Sequence, residues 1–356
     1  MVNSSTMTLI VIVMAFYFIG MIAISWMGRK YGKNFDDFIS AGRNCTTLMI
    51  IGSAVGSHIG NGYVVGGAAS GAAVGLSGAW YGIGCALSYL AVALVLNHRV
   101  YKCGYISLPE ILNARYGEKM TSVIFSVTTA LSYIANIAAQ LMAGKALFEA
   151  LGFNGTLGVW VIAVVVMAYS CISGLWGACA TSVVQVAIII VSLLATFFIV
   201  LGRGAFGLVT EAVANGLAPA SYFDMGADGI AAILITIVPI SLASLCEQCT
   251  VQRITSAKSE KTSFRALILS VIIMIPCALM PAFIGMYGYV LFGDTTNSVF
   301  FKVALDVLPS FFAALLIAAV VAAIMSTIDT MFVAFSTIIM HNIYRGMINP
   351  DASEGT

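Results

Sequence analysis

The sequence predicts an all-α polytopic membrane protein, and three observations carry that expectation. The composition is 60% hydrophobic and 9% charged, with a mean hydropathy of +1.01, far from the balance that keeps a soluble domain wetted. Apolar runs of about 20 residues or more recur along the whole chain, each able to cross a hydrocarbon core of about 30 Å as a helix. Basic residues collect in alternate connections between those runs, the pattern of the positive-inside rule. The short strands of alternating polarity that mark a membrane β-barrel do not occur.

Spans are expected near 7–28, 46–69, 74–97, 120–143, 156–173, 180–202, 229–251, 266–292 and 309–340. With the N-terminus outside and the C-terminus cytoplasmic, only Lys145, Arg203 and Lys302 of the 16 Lys and Arg residues fall outside. An odd number of spans and this charge bias support each other and suit a multi-pass protein of the plasma (inner) membrane. The first span has no basic stretch before it and no small-residue cleavage site, so it is expected to be a retained helix rather than a signal peptide. Residues 1–356 are expected to form a single transmembrane domain, since no connection is long enough to fold by itself.

Several function classes are disfavoured. A net charge of +1 offers no basic face for nucleic acid, and the partner implied by composition is the lipid bilayer. No nucleophile, base and orienting group occur at the spacing of an enzyme. The eight cysteines are scattered, mostly inside spans, where they act as small hydrophobes. Cys246 and Cys249 form a lone C-x-x-C without the second pair of a structural zinc site.

Two spans read as broken helices. From Gly52 to Gly78 glycine recurs at a density that weakens a helix, since each costs about 1 kcal/mol relative to Ala. Gly66, Gly67, Gly71 and Gly75 are read as close-packing positions. Between Gly56 and Gly62, polar Ser57, His58 and Asn61 are interleaved with glycine at mid-span, where an interruption would expose carbonyls to a cation. The 229–251 span carries Pro239, Ser241 and Ser244, followed by Glu247 and Gln248. Pro239 alone is a kink, but interrupted spans in matching positions of two halves point to a solute site at the membrane midplane. Asn61, Tyr63, Ser244 and Gln248 are candidate solute contacts there. Trp80, Tyr81, Tyr63 and Phe283 are candidates for an aromatic box around a quaternary ammonium group, the alternative being ordinary packing.

The ninth span carries Ala323, Ser326, Thr327 and Asp329 in an otherwise apolar helix. The carbonyl of Ala323 lies beside side chains three and four positions later, so three neutral oxygens converge. Carbonyls of Gly56 and Ile59 would complete a cage suited to a hard monovalent cation. The alternative is that both hydroxyls bond back to carbonyls one turn earlier. An aspartate at mid-membrane costs about 2.5–3.5 kcal/mol on insertion scales, so Asp329 is a candidate for an ion path or, alternatively, a protonated helix–helix hydrogen bond. Glu247, nearer the basic loop, is expected to pair with Arg253.

These residues resemble the sodium:solute symporter family. The likeness runs over nearly the whole chain and includes Asp37-Phe38-Ile39-Ser40-Ala41-Gly42-Arg43, Ser107-Leu108-Pro109-Glu110-Ile111-Leu112 with Arg115-Tyr116-Gly117, and Gln252-Arg253 with Ser256-Ala257-Lys258-Ser259. Its most specific stretch is Ala323 to Thr330, which is similar to the family's sodium-site helix. The resemblance implies a leucine-transporter-type inverted repeat with one extra N-terminal helix at 7–28, a first five-helix repeat at 46–202 and a partial second repeat at 229–340. It implies sodium as the bound ion, held by Gly56, Ile59, Ala323, Ser326 and Thr327. The function implied is sodium-coupled symport that imports a small organic solute by alternating access, the solute being an amino acid, a quaternary ammonium, a sugar or a carboxylate. Asn61-Gly62-Tyr63 is similar to a signature of the choline-transporter branch. Two departures stand out: Ser182 occupies the position of a family aspartate, which makes it a second candidate on the ion path, and the chain ends before the family's last core helices, so the second repeat is expected to be incomplete. The alternative function is a non-transporting receptor or inactive fragment on the same scaffold.

The orientation gives the first testable outcome. A tag at Met1 is expected to be accessible from outside the cell and one at Thr356 only after the membrane is opened; both tags on one side would refute the odd span count.

Overall fold

The computed structural model describes residues 4–31, 35–117 and 119–349; Met1, Lys33 and Thr356 lie outside the described residues. The described residues are helices and their connections, with one isolated parallel bridge between Cys45 and Ala257. In chain order the principal helices are α1 (Ser4–Gly28), α2 (Thr47–His58), α3 (Asn61–Val74), α4 (Trp80–Ala91, running on through a π turn to Cys103), α5 (Leu108–Tyr116) and α6 (Lys119–Ala150). There follow α7 (Gly155–Gly202), α8 (Ala205–Ala214), α9 (Gly229–Leu245), α10 (Gln248–Thr255), α11 (Glu260–Phe292) and α12 (Ser310–Thr337).

Local chemistry sets the ends. Thr46 accepts from the Met49 N–H at the start of α2, Asn154 from Thr156 and Leu157 at the start of α7, and Ser259 from Thr262 at the start of α11, each satisfying amides that a first turn leaves free. At α5, Ser107 and Glu110 form a reciprocal capping box with Pro109 in the first turn. Gly104, Gly117 and Gly293 end helices in the left-handed region.

Among the described residues six helices are long and apolar enough to cross a membrane, and the pair α9–α10, bent by 55°, makes a seventh if it is taken as one span. Two of the six are longer than one crossing. The 48-residue α7 is divided at Gly174, whose φ of 54° and ψ of −143° are non-helical. Its arms, 155–173 and 175–202, run about 28 Å and about 42 Å at 1.5 Å per residue, each enough for one crossing. The 43-residue run from Asn61 to Cys103 is divided at Gly75, where φ is 76°. The expected stretch 46–69 is α2 followed by most of α3, separated by Ile59 and Gly60 in non-helical conformations.

Helix α12 is the axis of the molecule: 83% of its most apolar window is buried, against 22% for α1 and 17% for α6. It packs against both the long α7 and the broken end of α2. Small residues let α3 and α11 touch backbone to backbone, Gly71 meeting Ala282 and Gly285 meeting Ala68. Gly75 likewise meets the Tyr222 backbone, and Gly67 is in ordinary contact with Pro281. Gly66 corrects the sequence expectation: nothing lies within 4 Å of where its Cβ would be, so it faces open space instead of a neighbouring helix.

Gly174 offers a clean test of this architecture. A Cβ there would collide with the carbonyl and ring of Phe38, on a backbone that L-residues rarely adopt. Gly174→Ala is expected to lower stability by about 1–3 kcal/mol or more, read as a lower melting temperature in detergent. Gly202→Ala, with nothing within 4 Å, should leave it unchanged or slightly raised.

Candidate cation and solute site

The break after α2 is where chemistry collects. A helix end leaves its last carbonyls without intrahelical partners. Val55 still accepts from the Ile59 N–H at 2.8 Å, but the carbonyls of Gly56 and Ser57 turn to α12. Ser326 Oγ donates to the Gly56 carbonyl at 2.7 Å and lies 3.1 Å from that of Ala323. Thr327 Oγ1 is 2.9 Å from the Ala323 carbonyl and 3.3 Å from that of Ser57. The structure therefore brings Gly56, Ala323, Ser326 and Thr327 into one cluster of neutral oxygens between two helices, and the back-bonding alternative is present alongside the cross-helix contacts. Ile59 adjoins the cluster with a fully buried side chain, yet among the described contacts its carbonyl receives neither hydroxyl; the carbonyl of Ser57, named from sequence as part of the break but not as an ion ligand, supplies the second one. The approach needs glycine. A Cβ at Gly56 would sit 3.3 Å from Ser326 Cβ, and one at Gly60 would sit 3.0 Å from Thr327 Oγ1.

Less than one turn further along, α12 faces α7. Thr181 Oγ1 donates to Asp329 Oδ2 at 3.2 Å, while Asp329 Oδ1 and the neighbouring Ser182 Oγ are buried without partners. Gln185 donates to the Tyr17 hydroxyl at 2.9 Å and keeps a buried, unpartnered Oε1. A carboxylate and three polar side chains thus share the α7–α12 region just beyond the oxygen cluster.

On its other side the cluster opens into a cavity of about 480 Å³, a size typical of small-molecule sites. Thr327 belongs to both. Of the candidate solute residues, Tyr63, Tyr81 and Ser244 line this cavity; Asn61, Trp80 and Gln248 do not. Asn61 opens α3 beside lining residues Gly60 and Gly62. The Trp80 indole donates to the Met225 carbonyl in the 215–228 connection at 2.6 Å. Gln248 is consumed by backbone, accepting from Leu108 N–H at 2.9 Å and donating to the Ile106 carbonyl at 3.2 Å. Phe283 packs edge-on against Phe197, so the four aromatics do not form one box.

Sequence reasoning missed Gln140 and placed His58 only in the helix break, without its partners. His58 Nδ1 is 2.7 Å from the Tyr89 hydroxyl and its Nε2 is 3.4 Å from Ser244 Oγ, so it links the two helix breaks. Gln140 lines the cavity from α6 and holds a buried, unpartnered Oε1; the recurrence of Thr128, Ser132, Asn136 and Gln140 at four-residue intervals along α6 was the available signal. The expected pair of Glu247 with Arg253 does not form. Arg253 is fully buried and donates instead to Ser53 Oγ and the Tyr89 hydroxyl, both at 3.1 Å, because it lies on the face of α10 turned to α2 and α4, while Glu247 sits at the bend and lines the cavity.

At the end of the molecule bearing the basic loops, Glu110 accepts from the Ile106 and Ser107 amides at 2.9 and 3.1 Å and meets His341 Nε2 at 2.6 Å. Partial burial opposes its charge, but the His341 contact and the two amides outweigh that and hold its carboxyl below the usual range. Asn342 also donates to Ser107 at 2.7 Å. The extension of α12, the α5 cap and, through Gln248, the head of α10 are thereby tied together.

Residues 38–356 match the sodium:solute symporter family, and the chain belongs to it. The sodium/proline symporter of Escherichia coli (strain K12) is 24% identical over 95% of this chain and 71% of its own length. The high-affinity proline transporter PutP of Bacillus subtilis (strain 168) is 24% identical over 94% and 73%, and the sodium/glucose cotransporter 1 of Oryctolagus cuniculus is 24% identical over 89% and 55%. Among solved structures, a substrate-bound outward-open Na+-coupled sialic acid symporter superimposes with a TM-score of 0.83 at 18% identity, covering 98% of this chain and 76% of that one. The fold is the leucine-transporter type. The protein is a multi-pass membrane protein of a family whose members, by the names of the relatives above, are sodium-coupled transporters of small organic solutes.

Proposed function

We propose that this chain imports a small organic solute together with sodium by alternating access. The single observation that carries this reading is the double membership of Thr327, whose hydroxyl belongs to the oxygen cluster and whose side chain also lines the solute cavity. Sodium is held by the Gly56 and Ala323 carbonyls and the Ser326 and Thr327 hydroxyls, with the Ser57 and Ile59 carbonyls at the same helix end. Neutral oxygens of this kind suit a hard monovalent cation.

In this reading the ion is a clamp between the broken α2–α3 span and α12. Bound sodium ties down the segment whose next residues, His58 and Gly60, form the cavity wall, so solute meets a finished site only when the ion is present. Solute then adds contacts across to Ser244 on α9, drawing the two interrupted spans together. Asp329, beside Thr181 and Ser182, lies on the route by which the ion leaves. With the N-terminus outside and the C-terminus cytoplasmic in the plasma membrane, inward sodium movement drives import; one charge crossing 100 mV supplies about 2.3 kcal/mol. The inverted repeats occupy 46–202 and 229–340. Ser182 in place of an acid favours one other reading, a sodium-binding sensor without flux on the same scaffold.

Ser326→Ala combined with Thr327→Val removes two oxygens at nearly constant volume. The sodium concentration for half-maximal solute uptake is expected to rise at least about tenfold, equivalent to about 1.4 kcal/mol, and the melting temperature without sodium is expected to fall as well, because the Gly56 and Ser57 carbonyls lose their partners. Asp329→Asn should slow turnover more than it weakens sodium binding. An unchanged sodium dependence in the double variant would show that these oxygens only hold helices together, and sodium binding without uptake in the native chain would favour the sensor.

A further inference from the structure

The sodium reading leaves the solute open, and the charge distribution of the cavity narrows it. Glu247 supplies a carboxylate to the cavity wall, and no Lys or Arg side chain lines that wall. Glu247 is the N-cap residue of α10, but its side chain makes no capping bond to the helix amides; its one side-chain contact is with Thr250 Oγ1 at 3.4 Å. Among the described residues it forms no ion pair, since Arg253 is turned to Ser53 and Tyr89. His58 is not among the partners of Glu247: its ring nitrogens meet the Tyr89 and Ser244 hydroxyls, and the Arg253 guanidinium shares that Tyr89 hydroxyl. A carboxylate at a helix break within the membrane is expensive without a partner. Around it the wall carries aromatic rings, Tyr63, Tyr81, Tyr133 and Phe125, side chains that accommodate organic cations.

From this we infer that the solute is an organic ammonium compound, primary to quaternary, whose positive group is received by Glu247. The inference rests on the reading of this cavity as the solute site. Glu247 is then the group that sets specificity: the hydroxyls of a neutral sugar could bond to the carboxylate without neutralising its charge, and a carboxylate-only solute would add a second negative charge where, among the described residues, the wall offers no Lys or Arg side chain.

The test uses the purified chain in nanodiscs, with thermal unfolding followed in sodium chloride and in potassium chloride. Choline and ethanolamine serve as ammonium probes, lactate as an anion and glucose as a neutral solute. In sodium, at least one ammonium probe is expected to raise the melting temperature with a half-effect concentration at least tenfold below those of lactate and glucose. Glu247→Gln should raise that concentration at least tenfold, and Glu247→Asp, which keeps the charge, should raise it less. The shift produced by sodium alone should be the same in all three proteins, which also shows that the variants are folded. The inference is overturned if neither ammonium probe stabilises the protein, if lactate or glucose acts at equal or lower concentration, or if Glu247→Gln binds the ammonium probe as well as the native chain. An ammonium shift that is equal in potassium and is lost in Glu247→Gln would contradict the sodium reading while upholding this one.

Discussion

Backbone carbonyls stranded inside a membrane have to be satisfied by protein, because each group left bare in hydrocarbon costs several kcal/mol. The end of α2 creates that demand: after His58 the helix stops, and the Gly56 and Ser57 carbonyls find their partners on α12. The rest of the architecture follows from meeting it. Ser326 and Thr327 must stand at the height of the break, which places α12 at the centre. Glycine must occupy positions 56 and 60 so that two helices approach closely enough. Oxygens gathered to satisfy one another are also oxygens that can be shared with a cation, so the structural requirement and the proposed ion site have one origin.

The second interruption is tied to the first through buried polar contacts. Arg253 on α10 reaches Ser53 on α2 and Tyr89 on α4; Tyr89 in turn meets the Ala54 carbonyl at 2.9 Å and His58 at 2.7 Å. Movement of α10 relative to α2 therefore disturbs the same segment that carries the Gly56 and Ser57 carbonyls. At the basic end, Gln248 and the Glu110–His341 pair add another connection between α10, α5 and the extension of α12. The proposed ion and solute sites are thus joined through short chains of contacts, with the broken helix common to both.

The membrane fold was legible because hydropathy and charge bias are properties of whole segments. The break at Gly56–Gly62 was legible because glycine and polar residues at mid-span are costly unless the backbone is used. The convergence of Ala323, Ser326 and Thr327 followed from helical spacing alone. What sequence spacing does not contain is the neighbour each side chain meets. Trp80 and Tyr81 are adjacent, yet one bonds to the 215–228 connection and the other lines the cavity. Gln248 and Glu247 are also adjacent, and the bend between α9 and α10 sends one to the α5 cap and the other to the cavity. Arg253 is close to Glu247 in sequence, but six residues is not a helical pairing interval and Arg253 turns to Ser53 and Tyr89, and Gly66 sits in a packing-like run while facing open space. Each departure reflects a rotation about a helix axis or a break that local periodicity does not encode.

The central claim is that sodium joins the broken end of α2 to α12. Hydrogen–deuterium exchange of the purified protein, compared in sodium and in equal potassium, tests it without substitution and without a known solute. Sodium is expected to slow exchange of backbone amides in 56–62 and 323–330 together, at concentrations that saturate, with little change in the peripheral α1 and α6. Equal exchange in the two salts across both segments, or protection confined to segments away from them, would contradict the account.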